Sequence, residues 1–151
     1  MSYTSATTRD LSRVEFIILV AGLMALNALA IDVMLPALPY MGEAFGISHE
    51  NERQFVVGVY MFGFGIAQLA YGPLTDRFGR RGPLLVGLGI YLICAFAATF
   101  APTFGALLAL RFVQGMGAAG TRVIATAVVR DKFSGREMAE IMSLTFMVFM
   151  A

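Results

Sequence analysis

Three charged side chains, Asp32, Arg111 and Arg122, lie in long stretches of the sequence that otherwise carry almost no charge. A charged group in an apolar medium is costly unless it faces a partner or a water-filled cavity, so such residues are candidates for function. A carboxylate beside an arginine in a shielded site can gain or lose a proton when the arginine moves or water is excluded. Asp32 and Arg111 therefore predict a site for proton exchange and for binding a polar ligand.

The composition indicates which elements must position these residues. Of the 151 residues, 58% are hydrophobic and 14% are charged, and the mean hydropathy is +0.76. Ordinary soluble domains carry roughly 25% charged residues. The net charge of +1 provides no field that would attract nucleic acid. Because the charges cluster in short connections between apolar runs, the sequence predicts an all-α integral membrane protein with the lipid bilayer as its main partner.

A helix that crosses a bilayer needs about 20 mostly apolar residues. This criterion predicts spans at residues 16–35, 54–71, 83–100 and 104–129, after a polar N-terminal segment of residues 1–15. A fifth apolar run begins at residue 141 and is interrupted at residue 151. We therefore expect residues 16–151 to be the N-terminal bundle of a longer protein.

The basic residues predict the orientation of the spans, because Lys and Arg accumulate in cytoplasmic connections. The N-terminal segment and the second and fourth connections are basic, and the first connection is acidic. This asymmetry predicts a cytoplasmic N-terminus in a multi-pass protein of the inner (cytoplasmic) membrane. The basic residues concerned are Arg9, Arg13, Arg77, Arg80, Arg81, Arg130, Lys132 and Arg136.

Spans one and four run in opposite directions, so Asp32 and Arg111 are expected at similar depth, where an ion pair or a water-bridged contact is possible. Arg122 follows Arg111 by eleven residues, about three turns and roughly 16 Å along a helix, which predicts a basic stripe on one face. Two aromatic residues four positions apart, Tyr60 and Phe64, are candidates for lining a cavity. The alternatives are a solvated aspartate at a helix end, a structural arginine and ordinary core aromatics.

Nothing in the sequence indicates an enzyme, a cofactor or a metal site. Gly115, Gly117 and Gly120 have the G-x-G-x-x-G spacing of dinucleotide-binding loops, but they lie inside an apolar span with no strand before them. Their small size instead predicts close helix packing. With one histidine and one cysteine in the chain, no metal cluster and no nucleophile–base pair is expected.

Two motifs carry a resemblance that covers nearly the whole chain. Residues 72–81, G-P-L-T-D-R-F-G-R-R, resemble the signature G-x-x-x-D-R-x-G-R-R between spans two and three of the major facilitator superfamily. Residues 107–119, which include Arg111 and Gln114, are similar to the span-four signature of its proton-coupled branches. The end of span one, from Asp32 to Pro39, resembles the drug:proton antiporters of the Bcr/CflA type.

The resemblance implies a twelve-helix fold, of which this chain supplies the first four to five helices, and export of drugs or other small hydrophobic compounds in exchange for protons. It implies proton coupling or substrate binding at Asp32 and Arg111, and cavity-lining roles that extend to Gln114, with the role of Arg122 open. It also implies that the connection after span two acts as a cytoplasmic latch, with the residues Gly72, Asp76, Arg77, Gly79, Arg80 and Arg130.

Physical reasoning supports parts of the predicted latch and leaves alternatives. Asp76 can accept hydrogen bonds at the N-terminus of a facing helix, and Gly79 permits a tight turn. The arginines of the connection could instead only set the orientation of the spans. At the level of function, the alternatives are an exporter of a metabolite such as a sugar or amino acid, and a membrane fragment that acts as an interaction protein without transporting anything. The expected partners are the C-terminal half of a transporter, a small-molecule substrate and protons.

Overall fold

A computed structural model describes residues 12–47 and 49–150 of the chain. Over these ranges the protein is helical and contains no strand, which confirms the predicted all-α class. The first 11 residues, which form most of the predicted N-terminal segment, lie outside the described part. The helices are α1 (Arg13–Asp32), α2 (Leu38–Ala44), α3 (Glu50–Phe78), α4 (Arg81–Ala98), α5 (Phe104–Lys132) and α6 (Gly135–Met150), with a 3₁₀ turn at Leu35–Ala37 between α1 and α2.

Four helical segments of the described chain are long and apolar enough to cross a membrane: Arg13–Ala44, Asn51–Phe78, Arg81–Ala98 and Phe104–Lys132. The first of them includes the 3₁₀ turn and α2, so it runs nine residues beyond the predicted span 16–35. The helix that contains the fifth predicted span begins at Gly135, six residues before residue 141. The protein is thus a multi-pass membrane protein built from successive antiparallel helices.

Side chains and glycines next to the apolar runs fix the helix ends. Ser12 and Glu15 form a reciprocal capping box at the start of α1, with the Ser12 Oγ accepting from the Glu15 N–H at 3.2 Å. Thr103 caps α5 by accepting a hydrogen bond from the Ala106 N–H at 3.2 Å. Gly79 ends α3 with a φ of 74°, in agreement with the tight turn predicted at this glycine. Only Gly79 and Arg80 separate α3 from α4.

The helix α3 is longer than the predicted span 54–71 because an apolar run marks only the part of a helix that contacts lipid. The polar turns at both ends are also helical, and the helix continues through Pro73 to Phe78. Proline removes one backbone hydrogen bond, to the carbonyl four residues earlier. That carbonyl belongs to Leu69, whose residue is exposed. The helix therefore crosses Pro73 and carries Asp76 and Arg77 on its last turn.

The helix α5 lies at the centre of the bundle and contacts α1, α3, α4 and α6. Its backbone approaches its neighbours at glycines. A methyl group at Gly115 would overlap the carbonyl oxygen of Tyr60 in α3, and one at Gly117 would lie 2.6 Å from the carbonyl oxygen of Gly87 in α4. A methyl group at Gly63 of α3 would in turn overlap the carbonyl oxygen of Phe112. Small residues thus let these helices pack backbone to backbone.

The glycines with dinucleotide-loop spacing are explained by this packing. Gly115, Gly117 and Gly120 lie within α5 and are all buried, with Gly120 held against the ring of Tyr71. No strand precedes them among the described residues, so they do not form a nucleotide-binding turn. Two glycines of α3, Gly58 and Gly65, make no such close contact, since a methyl group at either would meet no atom within 4 Å.

The end of the bundle that carries Arg77, Arg80, Arg81, Arg130, Lys132 and Arg136 is called the basic end below. There, α1, α5 and α6 share an apolar cluster that includes Phe16, Val129 and Ile141. At the same end of the bundle, Arg13 pairs with Glu140 at 3.0 Å, and the Lys132 ammonium lies 5.1 Å from the centre of the Phe16 ring. These contacts hold the start of α1 and the helix α6 on the same side of α5.

The close approach of α3 and α5 gives a matched stability test. Gly63→Ala inserts a methyl group against the Phe112 carbonyl, and we expect it to destabilise the protein by about 1–3 kcal/mol. Gly65→Ala, two residues further along the same helix, faces open space and should leave stability unchanged or slightly raised. Thermal denaturation of detergent-solubilised protein, followed by size-exclusion chromatography, measures both. Equal melting temperatures for the two variants would contradict the packing described here.

Candidate functional site

Arg111 is a charged side chain inside the membrane-spanning helix α5. It follows the start of α5 by seven residues, which places it about 10 Å along the helix. The side chain is half-buried, and its Nη1 donates a hydrogen bond of 2.8 Å to the Oε1 of Gln114, one turn further along. Its Nε is buried without a partner. Among the described residues no carboxylate oxygen lies within 4.0 Å of the guanidinium.

Two tyrosine hydroxyls attach α1 to the helices around Arg111. The Tyr60 hydroxyl of α3 donates to the Oδ1 of Asn27 at 2.7 Å, and the Tyr91 hydroxyl of α4 donates to the carbonyl of Leu26 at 3.2 Å. Tyr91, Arg111 and Gln114 border a cavity of about 350 Å³ that apolar residues of α1 and α2 complete. This cavity is called the Arg111 cavity below.

Asp32 does not pair with Arg111 in this structure. The carboxylate is exposed and borders none of the cavities described here, although its neighbours Val33 and Met34 border the Arg111 cavity. The predicted ion pair followed from equal depth along two antiparallel helices. Depth does not set direction, because successive side chains on a helix point about 100° apart. A direct ion pair between Asp32 and Arg111 is therefore not formed.

The predicted cavity-lining residues divide into two groups. Gln114, which is 2% exposed, borders the Arg111 cavity, and Tyr60 borders a narrow gap beside Arg111. Phe64 instead belongs to the buried cluster between α3 and α5, with Ala118 and Ala119, and borders no cavity in the described part of the protein. Of the two aromatic residues four positions apart, Tyr60 therefore lies beside Arg111, and Phe64 packs in the core.

Gly72, Asp76 and Arg80, which belong to the motif between spans two and three, border a separate cavity at the basic end. This basic-end cavity has a volume of about 430 Å³. Residues of α3 and of the connection form one wall, and residues of α5 form the other. The charged or hydroxyl-bearing residues on it are Thr75, Asp76, Arg80, Arg122, Thr126 and Arg130, and Gly72 leaves part of the α3 wall open.

Asp76 and Arg130 face this cavity together, but they are not in direct contact, since no salt bridge joins them within 4.0 Å. Arg80 pairs instead with Asp131, the residue after Arg130. The Arg77 guanidinium lies 5.5 Å from the ring of Phe78 and does not border the cavity. Asp76 and Arg130, two of the predicted latch residues, thus share a cavity without closing an ion pair.

Arg122 borders the basic-end cavity and also a third cavity of about 420 Å³ between α1, α3, α5 and α6. Arg111 and Arg122, which lie three turns apart on the continuous helix α5, border different cavities. The hydrogen bond between Tyr60 and Asn27 lies between them: Tyr60 borders the gap beside Arg111, and Asn27 borders the cavity of Arg122.

Sequence reasoning missed several residues of these sites. Asn27 is buried in an apolar span, and a search for uncharged polar side chains as well as charged ones would have identified it. Asp131 could have been found as an acidic residue inside a basic connection. Nothing in the sequence predicts the contact between the Tyr91 hydroxyl and a backbone carbonyl of α1.

The structure is that of a multi-pass membrane protein: successive membrane helices enclose cavities that charged and polar side chains border together with apolar ones. A sequence model described as Major Facilitator Superfamily matches residues 20–151. The chain belongs to the Major Facilitator Superfamily, a family of membrane transporters. This result confirms the resemblance drawn from the two motifs.

The curated proteins to which this chain is similar include the following three. The chain is 32% identical to the uncharacterized MFS-type transporter YdgK of Bacillus subtilis, over 90% of this chain and 34% of that protein. It is 31% identical to multidrug resistance protein D of Escherichia coli, over 87% of this chain and 33% of that protein. It is 36% identical to a chloramphenicol resistance protein of Pseudomonas aeruginosa, over 77% of this chain and 27% of that protein.

The chain spans about a third or less of the length of these curated relatives. No solved structure matches it.

The hydrogen bond between α1 and α3 gives a second stability test. Tyr60→Phe removes the donor to the buried Asn27 Oδ1, and we expect a loss of about 1 kcal/mol, which is typical of hydrogen bonds between membrane helices. Tyr40→Phe removes a hydroxyl from a residue that is 75% exposed and serves as the control. The measurement is the melting temperature in detergent. A Tyr60→Phe protein as stable as the control would show that this bond does not hold α1 to α3.

Proposed function

We propose that this chain forms the N-terminal part of a transporter that exports drugs or other small hydrophobic compounds in exchange for protons. The observation that carries the proposal is Arg111, a half-buried cation in a membrane-spanning helix with no carboxylate within 4.0 Å in the described structure. Ionisable residues inside membrane bundles mark pathways for ions and substrates. Arg111 and Gln114 present donors to the Arg111 cavity.

In this proposal Asp32 carries the exchanged proton. It lies at the end of α1, beside residues that border the Arg111 cavity, and its exposed carboxylate is accessible to protons. A rearrangement of α1 against α5 would bring Asp32 toward Arg111 or take it away. Because an arginine favours the charged form of a neighbouring carboxylate, such a movement would drive proton release or uptake.

The proton gradient supplies enough free energy for export. One proton contributes roughly 2.3 kcal/mol for each 100 mV of membrane potential. It contributes about 1.4 kcal/mol more for each unit of pH difference. A tenfold concentration gradient of substrate requires about 1.4 kcal/mol. Exchange of a single proton can thus sustain a steep substrate gradient.

We further propose that the basic end is cytoplasmic and acts as a latch between two halves of the transporter. Asp76 and Arg130 face one cavity without forming an ion pair, so both are free to bind other groups. Gly72 lacks close neighbours among the described residues, which suits the approach of another helix. The relatives are about three times as long as this chain, and we propose that a second bundle supplies that helix and the opposite wall of the substrate path.

The relatives support the choice of drugs over other substrates. Two of the three are named for drug resistance, and one of those for resistance to chloramphenicol. The test uses the complete protein that the gene encodes, purified and reconstituted in proteoliposomes. We expect chloramphenicol or a lipophilic dye to move against its gradient when a pH gradient is imposed, with release of protons on substrate binding.

Variants at the two charged residues test the assigned roles. Arg111→Gln should lower proton-driven transport by roughly tenfold to a hundredfold, because a charge-assisted hydrogen bond contributes about 1.5–3 kcal/mol. Asp32→Asn should abolish proton release and leave substrate binding measurable. The control is Glu43→Gln, which removes an exposed carboxylate from α2. Unchanged proton-driven transport in Asp32→Asn would overturn the role assigned to Asp32. If transport by the wild-type protein did not depend on the proton gradient, proton antiport itself would be overturned.

Cysteine labelling tests the proposed orientation. Cys94 is the single cysteine of residues 1–151, so Cys94→Ala, together with replacement of any cysteine outside these residues, gives a cysteine-free background. In spheroplasts, where the outer face is accessible, a membrane-impermeant maleimide should label Pro102→Cys and should label Gly82→Cys only after the membrane is permeabilised. Both residues are exposed at opposite ends of α4. The reverse pattern would place the basic end outside the cell and would contradict the latch.

A further inference from the structure

The third cavity, between α1, α3, α5 and α6, has the size of a ligand site. Its volume of about 420 Å³ falls within the range of roughly 300–1,000 Å³ that is usual for small-molecule sites. Methionines from three helices, Met24, Met61 and Met142, form much of its apolar wall. Methionine side chains are flexible and polarisable, so such a wall can adapt to ring systems of different shape.

The polar groups on this cavity are mainly hydrogen-bond donors. Arg122 borders the cavity, and its guanidinium carries five N–H donors and no acceptor. The Oδ1 of Asn27 already accepts from the Tyr60 hydroxyl, which leaves the amide N–H groups of Asn27 available. The Thr126 hydroxyl donates to the Arg122 carbonyl at 3.0 Å. No aspartate or glutamate borders the cavity.

Arg122 borders the third cavity without a fixed ionic partner. In the basic-end cavity, which Arg122 also borders, the carboxylate is that of Asp76, and no ion pair within 4.0 Å joins it to Arg122. The exposed guanidinium of Arg122 makes no salt bridge within 4.0 Å to any described carboxylate. A positive charge beside an apolar wall, without a fixed negative partner, recognises a ligand that combines a negative group with an apolar body.

We propose that this cavity binds amphipathic organic anions, with Arg122 holding the anionic group of the substrate and the methionines contacting its rings. The proposal rests on the transport function proposed above and names the substrate class. Arg122 belongs to neither of the two family motifs and acts here as a specificity-determining residue. Organic cations are disfavoured, since they would meet the guanidinium with no carboxylate to offset it.

Two fluorescent probes that share an anilinonaphthalene skeleton test this assignment. Anilinonaphthalene sulfonate is an anion, and N-phenylnaphthylamine is uncharged. Equilibrium titrations use the complete protein in nanodiscs, without a proton gradient, so binding is measured whether or not the protein transports. We expect Arg122→Gln to weaken binding of the sulfonate roughly tenfold to a hundredfold, the loss of one charge-assisted contact, and to change binding of the neutral probe less than about twofold.

Two further variants keep the test decisive. Arg122→Lys retains the charge without the planar fork and should bind the sulfonate between the wild type and Arg122→Gln. Arg136→Gln removes an exposed charge that borders none of the cavities in the described structure, and it should bind both probes like the wild type. Equal losses for both probes in Arg122→Gln, or no loss for the sulfonate, would overturn the inference, as would stronger binding of the cation ethidium than of the sulfonate.

The outcome separates this inference from the proposed transport function. If the sulfonate binds through Arg122 and no substrate moves in proteoliposomes, the anion site stands and export is wrong. If export depends on the proton gradient and Arg122→Gln does not discriminate between the probes, export stands and the anion site is wrong.

Discussion

The bundle depends on the approach of three helix backbones to one another at glycine. Gly115 faces the Tyr60 carbonyl, Gly117 faces Gly87, and Gly63 faces the Phe112 carbonyl. In lipid, apolar side chains gain little by leaving the solvent, so helices associate through close packing and hydrogen bonds. The three helices α3, α4 and α5 therefore form a compact unit around which α1 and α6 are arranged.

The attachment of α1 to this unit is of a different kind. In its middle, hydrogen bonds from the Tyr60 and Tyr91 hydroxyls connect α1 to α3 and α4. Single hydrogen bonds between membrane helices are worth only about 1 kcal/mol. Both the Arg111 cavity and the cavity of Arg122 border α1. A rearrangement that opens or closes these cavities can thus move α1 and leave the glycine-packed unit intact.

The sequence predicted the membrane helices well, but it did not predict which side of each helix contacts its neighbours. The apolar runs and the motif residues identified the spans, the superfamily and the positions of Asp32, Arg111 and Arg122 along the helices. The sequence did not show that Asp32 and Arg111 form no direct ion pair, because the rotation of α1 depends on which residues of other helices it meets. Gly63 and Gly65 show the same limit, since only the first faces another backbone. Composition shows which segments lie in lipid and which lie in water, but it does not show which side of a membrane helix faces another helix.

The hydrogen bond between Tyr60 and Asn27 has a consequence for the electrical integrity of the membrane. It stands between the surroundings of Arg111 and the cavity of Arg122, which shares Arg122 and Thr126 with the cavity at the basic end. A continuous file of water through a bundle would conduct protons and discharge the membrane. Within the described helices, a buried tyrosine hydrogen-bonded to a buried asparagine lies between the two sets of polar groups. The pair that attaches α1 to α3 would thus also resist the passage of such a file through this part of the protein.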